Sequence, residues 1–333
     1  MKKHLTKILV ASTAILSLWV AILLTPANDF LSLTGLYHQP IPEHAEGHPV
    51  DPGKGYYIEE VSDGVYFLSG WSHNTMFVVT DESVIAVDAP PSLGEAYLAA
   101  IREVTDKPVS HLIYSHSHSD HIGFASQFEG ASIVAHEATA SILRDRQDPQ
   151  RPIPTVTFDE AYTLDVGGKH IELTYHGPAH GPGNIAIYLP EDKVMTMIDI
   201  AFPKWVPIHE FAVAEDLDAY YKIYDVLLAK EFTHFIGGHA MLGSYQDVKD
   251  QQEYAIDIKN GAVAAYESVG GLAKLGERAA NSPNTYVTVN FGLNRMAGKC
   301  EQAVVDKWAG KLAGVDVFTH SHCKRMVFHA MTD

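Results

Sequence analysis

The sequence predicts an α+β fold in which two β-sheets are covered by outer helices and followed by a helical C-terminal appendage. Short apolar strands recur in hairpin pairs from Tyr56, helical segments alternate with them, and beyond about Leu242 the pattern turns almost wholly helical. At 333 residues the chain is long enough for one large domain with such an appendage.

The chain begins with Lys2, Lys3 and Lys7, then the apolar run from Ile8 to Leu24, then Thr-Pro-Ala-Asn-Asp. That order of charge, apolar stretch and small residues predicts a secretory signal over residues 1–27, cleaved after Ala27. The 17-residue run is marginal for a spanning helix, so the alternative is an uncleaved anchor that would hold the protein at a membrane. The expected location is periplasmic or secreted. Loss of the segment removes three lysines and moves the net charge from −17 to about −20, histidines counted as neutral. A surface that acidic repels phosphate backbones and anionic membranes, which speaks against a nucleic-acid partner; solubility alone also accounts for the charge. The sequence specifies no oligomeric state.

Residues 28–55 are rich in Pro, Gly and His and read as an irregular lead-in, with His38, His44 and His48 in a solvated arm. The main domain is expected over residues 56–243. It opens with strands "YYIEEV" and "VYFLSG" across a Ser-Asp-Gly turn, then "TMFVVT" and "SVIAVD" across Asp81-Glu82. A helix, "SLGEAYLAAIREV", follows with Ser92 as its expected N-cap. The stretch "PVSHLIYS" reads as a buried strand and "HIGFASQF" as the start of a helix. Strand "SIVAH", helix "EATASILRDR", strands near "TVTF", "YTLDV" and "HIELTYH", and the pair "IAIYLP" and "VMTMIDI" across Glu191-Asp192 come next. Helix "LDAYYKIYDVLLAK" and strand "THFIGG" complete the domain, and residues 244–333 form the helical region.

Between the strand ending at Ser115 and the following helix, "HSHSDH" places four ligand-type side chains in six residues, His116, His118, Asp120 and His121. Packing does not need so many, whereas a metal does. His116 and His118, two apart, can converge on one ion, while Asp120 and His121 at the helix start turn toward a second. Imidazole and carboxylate suit zinc, although iron or manganese would accept them. Three further candidates each follow an apolar strand: His180 in "HGPAHGPGN", Asp199 at the end of "VMTMID" and His239 at the end of "THFIGGH". Each alone reads equally as a turn residue, a cap or a strand-end histidine, but together they form a set.

Those four motifs, in that order, resemble the metallo-β-lactamase superfamily over roughly Tyr56 to Gly243. The resemblance implies an αββα sandwich with a dinuclear zinc site at one edge of the sheets. It implies His116, His118 and His180 at the first metal, Asp120, His121 and His239 at the second, and Asp199 bridging both. Asp88, ending the strand "VIAVD", would either orient a ligand histidine or cap the helix at Ser92. His176 would either line the pocket or be an ordinary turn histidine. Trp71, His73, Trp205 and His209 would either form an apolar-aromatic mouth or simply pack.

Two zinc ions would lower the pKa of a shared water toward about 7 and so supply a hydroxide nucleophile, with Asp120 doubling as proton carrier to the leaving group. The expected function is that of an exported dinuclear zinc hydrolase acting on a small ester, lactone or β-lactam. Iron-dependent redox chemistry in the same ligand cage, or phosphodiester hydrolysis, are the alternatives. An inert binding protein would have lost ligands, and here none is missing. The two cysteines, Cys300 and Cys323, lie outside the ligand set and read as a disulfide or as two buried thiols.

Overall fold

The structure, a computed structural model, describes residues 39–332. The expected signal over residues 1–27 and the first part of the lead-in, with His38, lie outside the described residues. The described residues from Ile41 onward form one unit.

Seven strands lie side by side in chain order: β1 (Tyr57–Ser62), β2 (Val65–Ser69), β3 (Asn74–Val79), β4 (Val84–Val87), β5 (Val109–Ile113), β6 (Ser132–His136) and β7 (Val156–Phe158). The first four pair antiparallel, as short turns demand, and β4 to β7 pair parallel. Helices α1 (Glu95–Val104), α2 (Ser119–Ile122) and α3 (Glu137–Arg146) fall in the parallel half. A second sheet runs β13-β12-β11-β10-β9-β8. Its strands are β8 (Ala161–Val166), β9 (Lys169–Tyr175), β10 (Ile185–Leu189), β11 (Val194–Thr196), β12 (His234–Ile236) and β13 (Leu242–Gly243), with helix α4 (Leu217–Leu228) crossing between the parallel pair β11 and β12. The chain ends in α5 (Tyr245–Ser268), α6 (Gly271–Ala280), α7 (Thr285–Trp308) and α8 (Val315–Thr332).

Strand periodicity explains the layering. In β3, Met76 and Val78 face the second sheet while Phe77 faces α1 and its Tyr97; in β10, Ile185 and Ile187 face inward while Ala186 and Tyr188 face α4. Strands buried on both faces read as unbroken apolar runs, which is how these segments look in sequence. Burying each such side chain contributes roughly 1.5–3 kcal/mol relative to exposure. Helix, sheet, sheet and helix therefore stack as αββα, as the sequence predicts.

The C-terminal helices do not form a separate core. Val248, Tyr254 and Ile258 of α5, Met296 and Val304 of α7, and Met326 of α8 join Tyr220, Ile223 and Tyr224 of α4 in one buried cluster. A disulfide joins Cys300 in α7 to Cys323 in α8, both fully buried. The start of α5 is fixed by a capping box between Ser244 and Asp247.

Three local expectations are corrected. Ser92 is not the N-cap of α1: the helix begins at Glu95 behind Gly94, whose φ of 50° makes the entry turn. The helix expected from His121 is one turn long, because the Phe124 amide turns away to bond the Ala89 carbonyl beyond β4. His48 is no solvated arm residue, since its ring stacks on Tyr57 and its Nε2 accepts from the Leu242 amide.

Candidate metal centre

Every candidate ligand lies at one edge of the sandwich because each follows the end of a strand that points there. His116 and His118 follow β5, Asp120 and His121 form α2, His180 follows β9, Asp199 follows β11, and His239 follows β12. The two sheets are stitched together at this edge. The Ile185 amide bonds the Ser115 carbonyl, and Asn74 reaches across with its amide to Gly238 O and with its side chain to Ala240 O.

The seven predicted ligands come together. His116, His118, His180 and Asp199 present ligand atoms all within 4.8 Å of one another, and Asp120, His121 and His239 belong to a second such group. Asp199 stands between them: its Oδ2 lies 3.1 Å from His121 Nε2, 3.4 Å from His180 Nε2 and 3.8 Å from His116 Nε2, while its Oδ1 lies 3.4 Å from His239 Nε2. Two donors on a tetrahedral ion bonded at 2.0–2.1 Å sit about 3.3 Å apart, so these spacings fit a zinc-type cation. Several imidazole and carboxylate atoms of the cage lack a partner, while His180 Nε2 lies 3.0 Å from His118 Nδ1. Among the described residues, His116 Nε2, His121 Nδ1 and Nε2, His180 Nδ1 and Asp199 Oδ1 are buried without hydrogen-bond partners. His121 Nε2 is close to Asp199 yet misaligned for a hydrogen bond, so the contact is one of charge.

Electrostatics prepares the imidazoles of the first group. Burial, reinforced by neighbouring imidazoles, holds His116 well below the ordinary histidine range, and burial pushes His180 down to about 4 despite Asp199. Both are therefore neutral, the form that ligates. Burial also opposes charge on His121, but Asp199, Asp88 and Asp120 outweigh it and lift that residue to about 9. Contact with the His73 imidazole, 3.5 Å away, brings Asp120 down to about 2 against the opposing effect of burial. Asp120 thus stays ionised at neutral pH, which suits ligation and leaves it a weak base for the proton transfer expected of it.

Supporting contacts fix the geometry. Asp88 does not cap a helix; it accepts from the Ser115 amide at 2.7 Å and hydroxyl at 2.6 Å, and that hydroxyl lies 2.9 Å from His116 Nδ1. Asp88 and Asp199 both hold positive φ, 52° and 62°, a left-handed backbone that Asp tolerates and that aims each carboxylate inward. The buried Arg151 guanidinium holds the Ser117 carbonyl between the first two histidines at 2.8 Å. His239 Nδ1 is tied to the Ser72 carbonyl at 2.7 Å and its ring stacks on Phe202, which leaves Nε2 facing Asp199.

Residues 68–227 match the family model for the metallo-beta-lactamase superfamily. They form a metallo-β-lactamase superfamily domain. The 2,4-dinitroanisole O-demethylase subunit alpha of Nocardioides sp. (strain JS1661) is 36% identical over 150 residues, 43% of this chain and 46% of that protein. The subunit beta of the same organism is 25% identical over 224 residues, 64% of this chain and 67% of that protein. The chain thus spans less than half the length of the first of these relatives. Among solved structures, the metallo-beta-lactamase from Pontibacter korlensis superposes with a TM-score of 0.51 at 21% identity, covering 60% of this chain and 99% of that one. Such a likeness carries the fold.

Beside the metallo-β-lactamase edge opens a cavity of about 340 Å³ lined by Trp71, Phe202, Trp205, Val206, Ile208 and His239 among others. Trp71 is largely exposed at its rim, whereas Trp205 is fixed in the wall by its Nε1, which donates to Ala45 O at 2.9 Å. Three residues expected in the mouth or pocket are elsewhere. His209 is exposed and pairs with Glu210, because Glu210 to Val213 take a left-handed turn that carries it outward. His176 is exposed and bonds Thr174 within its own strand end. His73, expected in the mouth, lies instead among the second group of ligands. Motif reading missed its place because it precedes a strand rather than following one. Its signal was topological: β3 runs antiparallel to β4, so the start of β3 shares an edge with Asp88.

Proposed function

We propose that the protein is an exported, metal-dependent hydrolase that adds water to a small, uncharged or weakly anionic substrate, an aryl ester, lactone or β-lactam. The observation that carries this reading is the pair of four-residue ligand groups that meet at Asp199. When bound there, two zinc-type ions would supply Lewis acidity and an acidified water. His116, His118 and His180 would hold the first and Asp120, His121 and His239 the second, with Asp199 shared.

The chain's own residues account for the rest. Burial keeps the first three imidazoles neutral and fixed, so that no reorganisation is needed when substrate arrives. Asp120 has a side chain 53% exposed, which makes it the most open carboxylate of the cage and the one within reach of a leaving group. The indole of Trp205 and the ring of Phe202 offer an apolar wall for the substrate's body beside His239, and displace water from it. The acidic chain disfavours polyphosphate substrates.

Export is supported by the signal-like N-terminal sequence and by the disulfide, which persists in oxidising compartments. Among the described residues no helix is long and apolar enough to cross a membrane.

A second reading, favoured by the likeness to 2,4-dinitroanisole O-demethylase subunits, is hydrolysis of a nitroaryl methyl ether, in which water is consumed and a nitrophenol and methanol are released. One experiment tests both: lactones, aryl esters, β-lactams, thioesters, a nitroaryl methyl ether and a phosphodiester, each offered to zinc-loaded and chelator-stripped protein. Turnover of a carbonyl substrate or the ether that disappears on stripping is expected. Phosphodiester turnover above all others, or turnover indifferent to chelation, would sink the proposal.

A further inference from the structure

His73 stands in the loop between β2 and β3, outside every motif that marks the other ligands, yet its geometry is that of a ligand. Its side chain is only 13% exposed, and its Nε2 lies 3.5 Å from Asp120 Oδ2. The ring centre is 4.5 Å from that of His239 and 5.1 Å from that of His121, so three imidazoles and a carboxylate converge. Their ligand atoms all lie within 4.8 Å of one another, as close as the four of the first group.

The far side of the ring is anchored. Nδ1 lies 2.8 Å from the Ser72 hydroxyl and 2.9 Å from the Ser92 hydroxyl, two oxygens that can accept its proton. An imidazole that donates Nδ1–H to such partners keeps the Nε2 lone pair for a metal, the arrangement common to metal-bound histidines. Ser72 serves twice, because its carbonyl holds His239 Nδ1 in the same way. The competing role is a hydrogen bond from Nε2–H to Asp120. At 3.5 Å that contact is longer than a good N–H···O bond and fits two donors facing one cation.

We propose that His73 is a protein ligand of the second metal, which would then be held by His73, Asp120, His121 and His239 together with the shared Asp199. This inference rests on the metal-dependent reading above. Its consequence is a second site richer in imidazole than the sequence motifs imply, with the β2–β3 loop and its Trp71 fastened by the ion.

The test is stepwise cobalt(II) and zinc titration of wild type, His73→Ala and His73→Gln, with folding checked by circular dichroism. Wild type is expected to take two equivalents. Both variants are expected to keep the first and bind the second at least tenfold more weakly, with a changed cobalt d–d spectrum. In the wild-type cobalt protein, six exchangeable imidazole protons should be paramagnetically shifted, one for each ligand histidine including His73. That count needs no variant. Two equivalents with unchanged affinity in the variants and five shifted protons would overturn the role of His73 while leaving the metal reading intact. Wild-type protein that takes up no metal would overturn both.

Discussion

Gly238 allows a sharp test of how tightly the cage is packed, without replacing a ligand. A Cβ at this position would lie 2.6 Å from Ile198 Cγ2, 2.7 Å from His121 Cε1 and 2.8 Å from Asp199 Oδ1. Ordinary contact begins at 3.4 Å, so in Gly238→Ala each neighbour would have to yield by about 0.6 to 0.8 Å. None has free room, for His121 is fully buried and Asp199 is 5% exposed. Ligand constellations tolerate displacements of only about 0.5 Å, and disturbing what supports a ligand typically costs 10- to 100-fold in metal affinity. We therefore expect second-site affinity to fall by at least tenfold and first-site affinity to fall less, since the tightest contacts fall on His121 of the second group, on the shared Asp199 and on Ile198. Stability should drop by roughly 1–3 kcal/mol from overpacking. Competition against a chromophoric chelator reads the two affinities, and a urea melt reads the stability. Unchanged binding of both equivalents would show that Gly238 does not back the cage.

Three other outcomes are expected. Asp88→Asn should weaken first-site metal by about tenfold with the fold kept, because Asp88 reaches His116 through Ser115; equal affinity in a chelator competition would contradict the relay. Replacing Cys300 and Cys323 by serine opens a closure of sequence separation 23 and should lower stability by about 3 kcal/mol, visible as a shifted urea midpoint; an unmoved midpoint would count against it. His322 is buried against Tyr254 and the Ile208 carbonyl, and burial pushes it down to about 4 from an ordinary 6.5. The unfolded chain binds its proton first, so its stability contribution is complete above pH 6.5 and is lost as pH falls toward 4, by roughly 2–3 kcal/mol. In His322→Gln the urea-derived stability should change less between those pH values, and an identical slope would refute the assignment.

The layered core and most of the cage were legible in sequence because both depend on local signals. Runs such as "IAIYLP" carry their own strand period, and "HSHSDH" concentrates its donors within one turn. What escaped was set by distant contacts. A lone histidine before a strand carries no spacing signal, and His73 acquires its neighbours only when β3 aligns with β4. Ser92 looked like a cap, but its hydroxyl is turned to His73 while Gly94 makes the helix entry. The left-handed turn through Glu210, Phe211, Ala212 and Val213 contains no glycine or asparagine to announce it. His48 carries no local sign of its contacts because its partners, Tyr57 and Leu242, come from opposite ends of the domain.

The attachment of Trp205 separates two kinds of inheritance. Its indole is held by Ala45, its carbonyl by Gln251 of α5, and its backbone bridges to Ala313 ahead of α8. The cage, by contrast, is supplied from strand ends and Asx, Ser and Gly contacts inside the sandwich. The supports of this wall residue therefore come from the lead-in and the tail, and drift there can remould that part of the wall while the metal donors stay on their strand ends. A library that seeks new substrates should be aimed at Ala45, Trp205, Gln251 and Ala313, where variation alters what the cavity admits and spares the machinery that would act on it.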